Sequence, residues 1–133
     1  MMSAFVAPLR VLVIEDDAVI ATLIRDVLTN HGYHVDITAD DRPLDASREY
    51  LPDVIMVDLT MPNMGGQDVV KGLHAQPETS DIPIILMSAA TDLPAQAEAL
   101  DLRHYLEKPF GLDVLLSVVE ASYESRSRRT PHL

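Results

Sequence analysis

Several residues with reactive or charged side chains each stand just after an apolar run. Glu15-Asp16-Asp17 follows residues 9–14, Asp58 follows 54–57 and Ser88 follows 83–87, while Lys108 comes two residues after the brief strand-like stretch 104–106. Carboxylates gathered without His or Cys are hard oxygen donors, which select Mg²⁺, Ca²⁺ or Mn²⁺ over zinc. Several of them in one pocket repel each other, so a proton or a cation must offset the charge. Mg²⁺ keeps waters and takes one or two carboxylates plus a phosphate oxygen. The open position of such a site is therefore a natural seat for a phosphoryl group. An aspartate can be the nucleophile and hold the product as an acyl phosphate. The transition state spreads negative charge over the equatorial oxygens, so catalysis is mostly positioning and charge stabilisation. Lys108 would supply a point charge, and Ser88 a hydroxyl donor to a phosphoryl oxygen.

Each residue taken singly also has a plainer role. Asp17, just before a helical pattern, is an N-cap. Asp58 ahead of Pro62 suits a turn. Ser88 suits a loop or cap hydroxyl, Lys108 a solvated surface charge, and Tyr105 half-buried core. What favours chemistry is that the carboxylates, the hydroxyl and the lysine stand together at the ends of four predicted strands.

Those strands and the helices between them read from periodicity. Leu9–Ile14 is a buried strand; Val19, Ile20, Leu23, Ile24, Val27 and Leu28 then recur at three and four, as in an amphipathic helix. Gly32 is placed for a left-handed cap. His34–Thr38 is a second strand, and Asp41 with Pro43 starts a helix to about Tyr50. Val54–Val57 is a third strand, 60–66 a loop rich in Pro, Asn and Gly, and Val69, Val70 and Leu73 mark a third helix. Pro83–Met87 is a fourth strand, opening through Thr91 or Asp92 into a short helix near 94–100. His104–Leu106 is a brief fifth strand, and Leu112 to Val119 lines a last helix ending near Tyr123, with frayed residues beyond. Five β-α units in series imply a parallel sheet covered on both faces. Ligands in such sheets sit beyond the carboxyl ends of the strands, near the switch point.

Composition bounds the rest. The 133 residues fit one domain, read as an extension at 1–8, a folded unit at 9–123 and a flexible tail at 124–133. The chain has no cysteine, so neither a disulfide framework nor a thiolate zinc site can form. Residues 1–8 lack the features of a secretory signal, and no apolar run is long enough to span a bilayer. A cytoplasmic protein is expected. A net charge of −11 repels nucleic-acid phosphates, so direct nucleic-acid binding is not expected.

The motifs VLVIEDD at 11–17, VIMVDLTMPNMGG at 54–66, PIILMSA at 83–89 and YLEKPF at 105–110 together resemble the receiver domain of bacterial two-component response regulators. The resemblance runs from about Leu9 to Tyr123. It implies a flavodoxin-like (βα)₅ three-layer sandwich with a parallel sheet of order 2-1-3-4-5. It implies Asp58 as the phosphoacceptor and Mg²⁺ held by Asp16, by Asp58, by the Thr60 backbone carbonyl and, through a water, by Glu15. Lys108 matches the family's lysine, and the Lys108-Pro109 bond is expected to be cis. Ser88 matches the switch hydroxyl and Tyr105 the aromatic switch. The donor implied is a sensor histidine kinase or a histidine phosphotransfer protein. The output implied is a shift of the face built from the helix at 94–100, the fifth strand and the last helix, through which homodimers can also form.

Some features depart from the pattern. Gly65-Gly66 replaces the usual Asp-Gly, which bears on loop rigidity. The stretch from Ser88 to Lys108 is about two residues short and carries Asp101-Leu102-Arg103 in place of the common Gly-Ala pair. About ten residues follow the last helix, which favours a stand-alone receiver acting through an unidentified downstream protein. Such a chain catalyses only its own phosphorylation and dephosphorylation and is not a turnover enzyme. The alternative reading is an interaction module or phosphate sink that works without switching. A haloacid-dehalogenase-type phosphatase would need a second Asp where Thr60 stands.

Overall fold

Apolar runs short enough for strands, separated by helix-length amphipathic segments, can bury both faces of a sheet only if the helices cross back over it. In a computed structural model that describes residues 9–38, 51–60 and 65–129, the chain does so. The strands are β1 (Arg10–Ile14), β2 (His34–Thr38), β3 (Val54–Asp58), β4 (Ile84–Ser88) and β5 (His104–Glu107). All neighbours pair in parallel, in the predicted order β2-β1-β3-β4-β5. The described helices are α1 (Ala18–Asn30), α2 (Gly66–His74), α3 (Leu93–Ala99) and α4 (Leu112–Arg129). The helix predicted at 41–50 and the centre of the predicted loop, 61–64, lie outside the described residues, as do the ends of the chain at 1–8 and 130–133.

Side-chain alternation divides the core in two. Leu12, Ile14, Ile55, Val57 and Leu86 face α2 and α3, packing on Val69, Leu73, Leu93 and Ala97. Val11, Val13, Met56, Ile85, Met87 and Leu106 face α1 and α4, packing on Ile24, Leu28, Leu115 and Val119. β3 and β4 are buried along their whole length, which explains their unbroken apolar sequences. No helix among the described residues is long and apolar enough to cross a membrane.

Some boundaries differ from the sequence reading. α2 begins at Gly66, one residue inside the predicted loop, where the Gly66 amide closes onto the Leu59 carbonyl at 3.2 Å. β5 runs one residue further, to Glu107, and its ladder continues as the Lys108 amide donates to the Ser88 carbonyl. α4 continues to Arg129 rather than ending near Tyr123. Nothing in that stretch breaks a helix: Glu124 to Arg129 contains no Gly or Pro.

Two helices end in the same way. After α1, Gly32 is left-handed at φ +92, the Tyr33 amide donates to Leu28 O at 3.0 Å, and the Gly32 amide to Thr29 O at 3.1 Å. After α3, the Leu102 amide donates to Ala97 O at 2.8 Å and the Asp101 amide to Glu98 O at 3.0 Å. Both are Schellman turns. In the second, however, the left-handed position is held by Asp101, at φ +61. That is the position where the sequence lacks the expected glycine. An L-residue there crowds its own Cβ against the backbone, a cost that Asp only partly relieves. We expect Asp101→Gly to stabilise the protein by about 0.5–1 kcal/mol, since relief of this crowding outweighs the extra freedom of glycine in the unfolded chain. A urea midpoint that falls or does not move contradicts this account.

Candidate functional site

Parallel pairing sets the site before any side chain is considered. Ile14 pairs with Val57, so one further step places Glu15 beside Asp58. Asp58 pairs with Met87, and Ser88 pairs with Glu107, so the ends of β1, β3, β4 and β5 lie side by side. β1 lies between β2 and β3, so consecutive connections leave it in opposite directions, which opens a crevice at its carboxyl end. Alternation then sorts the side chains. Glu15, Asp58 and Lys108 continue the rows of Val13, Met56 and Leu106, whereas Ser88 continues the row of Leu86, which faces α2 and α3.

The contacts follow this sorting. Lys108 Nζ donates to Glu15 Oε1 at 2.7 Å and lies 3.4 Å from Asp58 Oδ1. Asp58 Oδ1 also accepts from the Thr60 amide at 3.2 Å and the Thr60 hydroxyl at 3.3 Å. Glu15 Oε2 accepts from the Asp17 amide at 3.2 Å. Asp17 is the N-cap of α1, its Oδ1 accepting from the Val19 and Ile20 amides. The plain reading of that residue therefore holds. Glu15, Asp58 and Ser88 are buried, and Asp16 and Thr60 are exposed.

The remaining predicted residues, Ser88 and Tyr105, do not join these contacts. Ser88 Oγ accepts from the Ala90 amide at 3.0 Å, its side chain being on the other face of the sheet from Asp58. Tyr105 is exposed on β5 and lines an open cleft with Pro94, Glu98 and Arg103. The Lys108-Pro109 bond is cis, as expected from the resemblance.

Burial and charge fix the protonation pattern. Glu15 is pushed up to about 7, first by burial and then by its hydrogen bond with Asp58; Lys108 and the Asp17 amide only partly counter this. Burial would raise Asp58 too, but the hydrogen bond with Glu15, the Thr60 amide and the Lys108 charge outweigh it and hold Asp58 below the usual carboxylate range. Burial would lower Lys108, but its bond to Glu15 and the Asp58 charge outweigh it, so the ammonium is held above its ordinary value. The pair thus shares its proton unequally: Glu15 takes it, and Asp58 stays an anion available for nucleophilic attack.

Glu15, Asp16 and Asp58 each offer one carboxylate oxygen, all within 4.8 Å of one another. This all-oxygen set, with one member exposed, fits a hard divalent cation that keeps part of its water shell.

One constraint was missed at the sequence level. A Cβ built on Gly66 would lie 2.5 Å from the Asp58 carbonyl oxygen and 2.6 Å from Leu59 Cα. The start of α2 is thus pressed against the backbone of Asp58. Gly65, by contrast, has an ordinary φ of −63, and a Cβ there would meet only the Asp68 carboxylate at 3.7 Å. The Gly-Gly pair was legible as a loop signal, but which glycine is needed, and why, depends on a contact eight residues away.

The profile of the family described as "Response regulator receiver domain" matches residues 11–120. The transcriptional regulatory protein KdpE of Mycobacterium tuberculosis is 40% identical over 116 residues, covering 84% of this chain and 50% of KdpE. The chain therefore spans about half the length of the curated relatives it matches. The chemotaxis protein CheY4 of Vibrio cholerae has a similar structure, with TM-score 0.80 and 28% identity over 87% of this chain and 99% of that one. So does the receiver domain of the sensor histidine kinase PA1611 of Pseudomonas aeruginosa, with TM-score 0.79 and 26% identity over 89% of this chain and 99% of that one. That structure has a magnesium ion coordinated in its active site cleft.

The two glycines should respond differently to substitution. We expect Gly66→Ala to destabilise the fold by about 1–3 kcal/mol, as forced overpacking does, and to weaken divalent-cation binding because the Asp58 backbone must shift. Gly65→Ala should leave both close to wild type. Urea unfolding and calorimetric Mg²⁺ titration of the two variants check this; equal effects at 65 and 66 would overturn it.

Proposed function

The chain belongs to the response regulator receiver domain family, and from that premise we propose that it is a phosphorylation-controlled switch whose phosphoacceptor is Asp58. The observation that carries this reading is the geometry at the strand ends: Asp58, a buried carboxylate at the end of β3, shares one oxygen cluster with Glu15 and Asp16 and has the Lys108 ammonium 3.4 Å away. A sensor histidine kinase or phosphotransfer protein would donate the group. Asp58 forms the new P–O bond as the donor's bond to phosphorus breaks, with its electron pair staying on the donor. Val19 and Leu23, exposed one turn apart on α1 just past Asp17, offer the apolar contact a docking donor needs.

Mg²⁺ is the cation this reading assigns to Asp16, Asp58 and the Thr60 carbonyl, with Glu15 acting through a water, and when bound it supplies positive charge against the phosphoryl oxygens. Lys108 would follow the group, leaving Glu15 as charge builds on the phosphoryl oxygens. Ser88 would give up the Ala90 amide and turn its hydroxyl toward the same oxygens, with Tyr105 following as the aromatic switch. The output surface is that of α3, β5 and α4, where a downstream protein or a second copy would bind. The reading includes a cytoplasmic location, where such donors act. It also means the chain catalyses only its own phosphorylation and dephosphorylation.

Intact mass after incubation with acetyl phosphate tests the reading. We expect a gain of one phosphoryl group that requires Mg²⁺ and is absent in Asp58→Asn. A gain that persists in Asp58→Asn sinks the assignment, and no gain in a folded protein that binds Mg²⁺ favours an interaction module working by contact alone.

The raised Glu15 adds a pH dependence. Its carboxyl titrates near 7 in the cation-free protein, above the ordinary 4.5. Below pH 7 binding must displace that proton, so Mg²⁺ affinity falls as the pH drops, by up to about tenfold per pH unit; above 7 it levels off. Glu15→Gln should bind more weakly and lose this slope. Calorimetric titrations at pH 6 and pH 8 decide it, and equal wild-type affinities at the two would refute the protonated Glu15.

A further inference from the structure

Helix α3 is seven residues long and starts four residues after Ala89, the first residue past β4. Its N-cap residue, Asp92, makes no side-chain cap bond. Both carboxylate oxygens instead accept from Gln96 Nε2, at 2.9 and 3.0 Å. A carboxylate can only accept, so the Gln96 amide must turn its NH₂ toward Asp92. Its Oε1 is thereby turned inward, where it is buried without a hydrogen-bond partner. Two groups are left short by one contact: a helix without its cap and an amide oxygen without a donor.

The cap on α1 shows what is absent. Asp17 has φ −79 and ψ 109, and its carboxylate takes the first free amides. Asp92 has φ −100 and ψ 24, which aims its side chain elsewhere. Pro94, the second residue of α3, has no N–H, so the only amide a capping Asp92 can take is that of Ala95. Rotation of ψ at Asp92 toward the value at Asp17 would make that bond and free Gln96 at once.

We propose that the Asp92–Gln96 contact is a resting-state clamp on α3, and that its release hands Asp92 to the Ala95 amide as an N-cap. The link to the site runs through Ser88, whose hydroxyl holds the Ala90 amide two residues before Asp92. When Ser88 leaves that amide, the segment 89–92 loses its anchor and Asp92 is free to rotate. This link rests on the phosphoacceptor reading above; the clamp itself does not.

Amide exchange at Ala95, followed by NMR in the unphosphorylated protein, tests the clamp directly. Gln96→Ala keeps a strong helix former in place. It should slow Ala95 exchange about fivefold, as gain of an ordinary N-cap bond would. The double variant Asp92→Ala with Gln96→Ala should lose that protection. Unchanged Ala95 exchange in Gln96→Ala overturns the clamp, whatever happens at Asp58. The second arm is the rate of phosphoryl gain from acetyl phosphate with Mg²⁺, where Gln96→Ala should be several-fold faster than wild type. Equal rates overturn the coupling to Asp58. If Ala95 is slowed but neither protein gains a phosphoryl group, the coupling falls with the phosphoacceptor reading while the clamp is supported.

Discussion

Parallel pairing of β1 with β3 brings Glu15 and Asp58 side by side in a place with little water. Two carboxylates so placed cannot both be charged without compensation. The chain meets this repulsion with a shared proton and one ammonium. Lys108 Nζ sits 2.7 Å from Glu15 and 3.4 Å from Asp58, and of the two carboxyls it is Glu15 that burial raises toward protonation. Much of the surrounding structure serves this arrangement. The ladder bond from the Lys108 amide to Ser88 O fixes the lysine's backbone at the end of β5. The Asp17 amide, at the first cap of α1, holds the other oxygen of Glu15. A cation in the same place would take over the role of the proton, so binding would release a proton only where Glu15 still carries one, below about 7.

The backbone constraint at Gly66 belongs to the same problem. Electrostatics can select which carboxylate is charged only if the two are held at fixed separation. β3 is fixed on both sides by ladders, but its last residue needs a stop. The Gly66 amide on Leu59 O, together with the close approach of Gly66 to the Asp58 carbonyl, provides it. With no Cβ in the way, the start of α2 reaches contact distance of the strand end, and Thr60 is turned back so that its amide and hydroxyl meet Asp58 Oδ1. Thr60 and the start of α2 thus act together as a support for one side chain.

Most of this was legible in the sequence because it depends on period and order. Apolar runs at 9–14, 54–57 and 83–87 specify buried parallel strands, and once those are parallel the residues after them must share one edge. What the sequence did not disclose depends on contacts distant in the chain or on competition between local options. Gly66 is needed because of Asp58, eight residues earlier. Asp92 looks like a helix cap by type and position, yet Gln96 takes its carboxylate. α4 was expected to end near Tyr123 because its apolar stripe stops there, but a helix with no breaker can continue past its buried stripe. Asp101 was legible as an odd residue at a glycine position, though not as a left-handed one.

Several places where the fold leaves its local rules unmet lie close together, while left-handed Leu51, at φ 52, stands apart from them ahead of β3. Among the described residues, the buried side-chain atoms without a hydrogen-bond partner are Gln96 Oε1 and His104 Nε2. Left-handed Asp101 lies between them. Three unfavourable features therefore fall within nine consecutive residues, from α3 into β5, on the surface that the proposed function gives to partners. Each is worth about 1–3 kcal/mol by the usual measure of an orphaned polar group or a strained backbone. The buried carboxylates of the site, Glu15 and Asp58, in contrast have their partners. A domain that must hold a reactive carboxylate still and yet move another surface in response benefits from this division. Rigidity at the ends of β1 and β3 keeps the chemistry in register. A resting state of α3 that is only slightly preferred lets a small change at Ser88 decide between two arrangements, because a bistable element responds only when its gap is comparable to the energy available to move it.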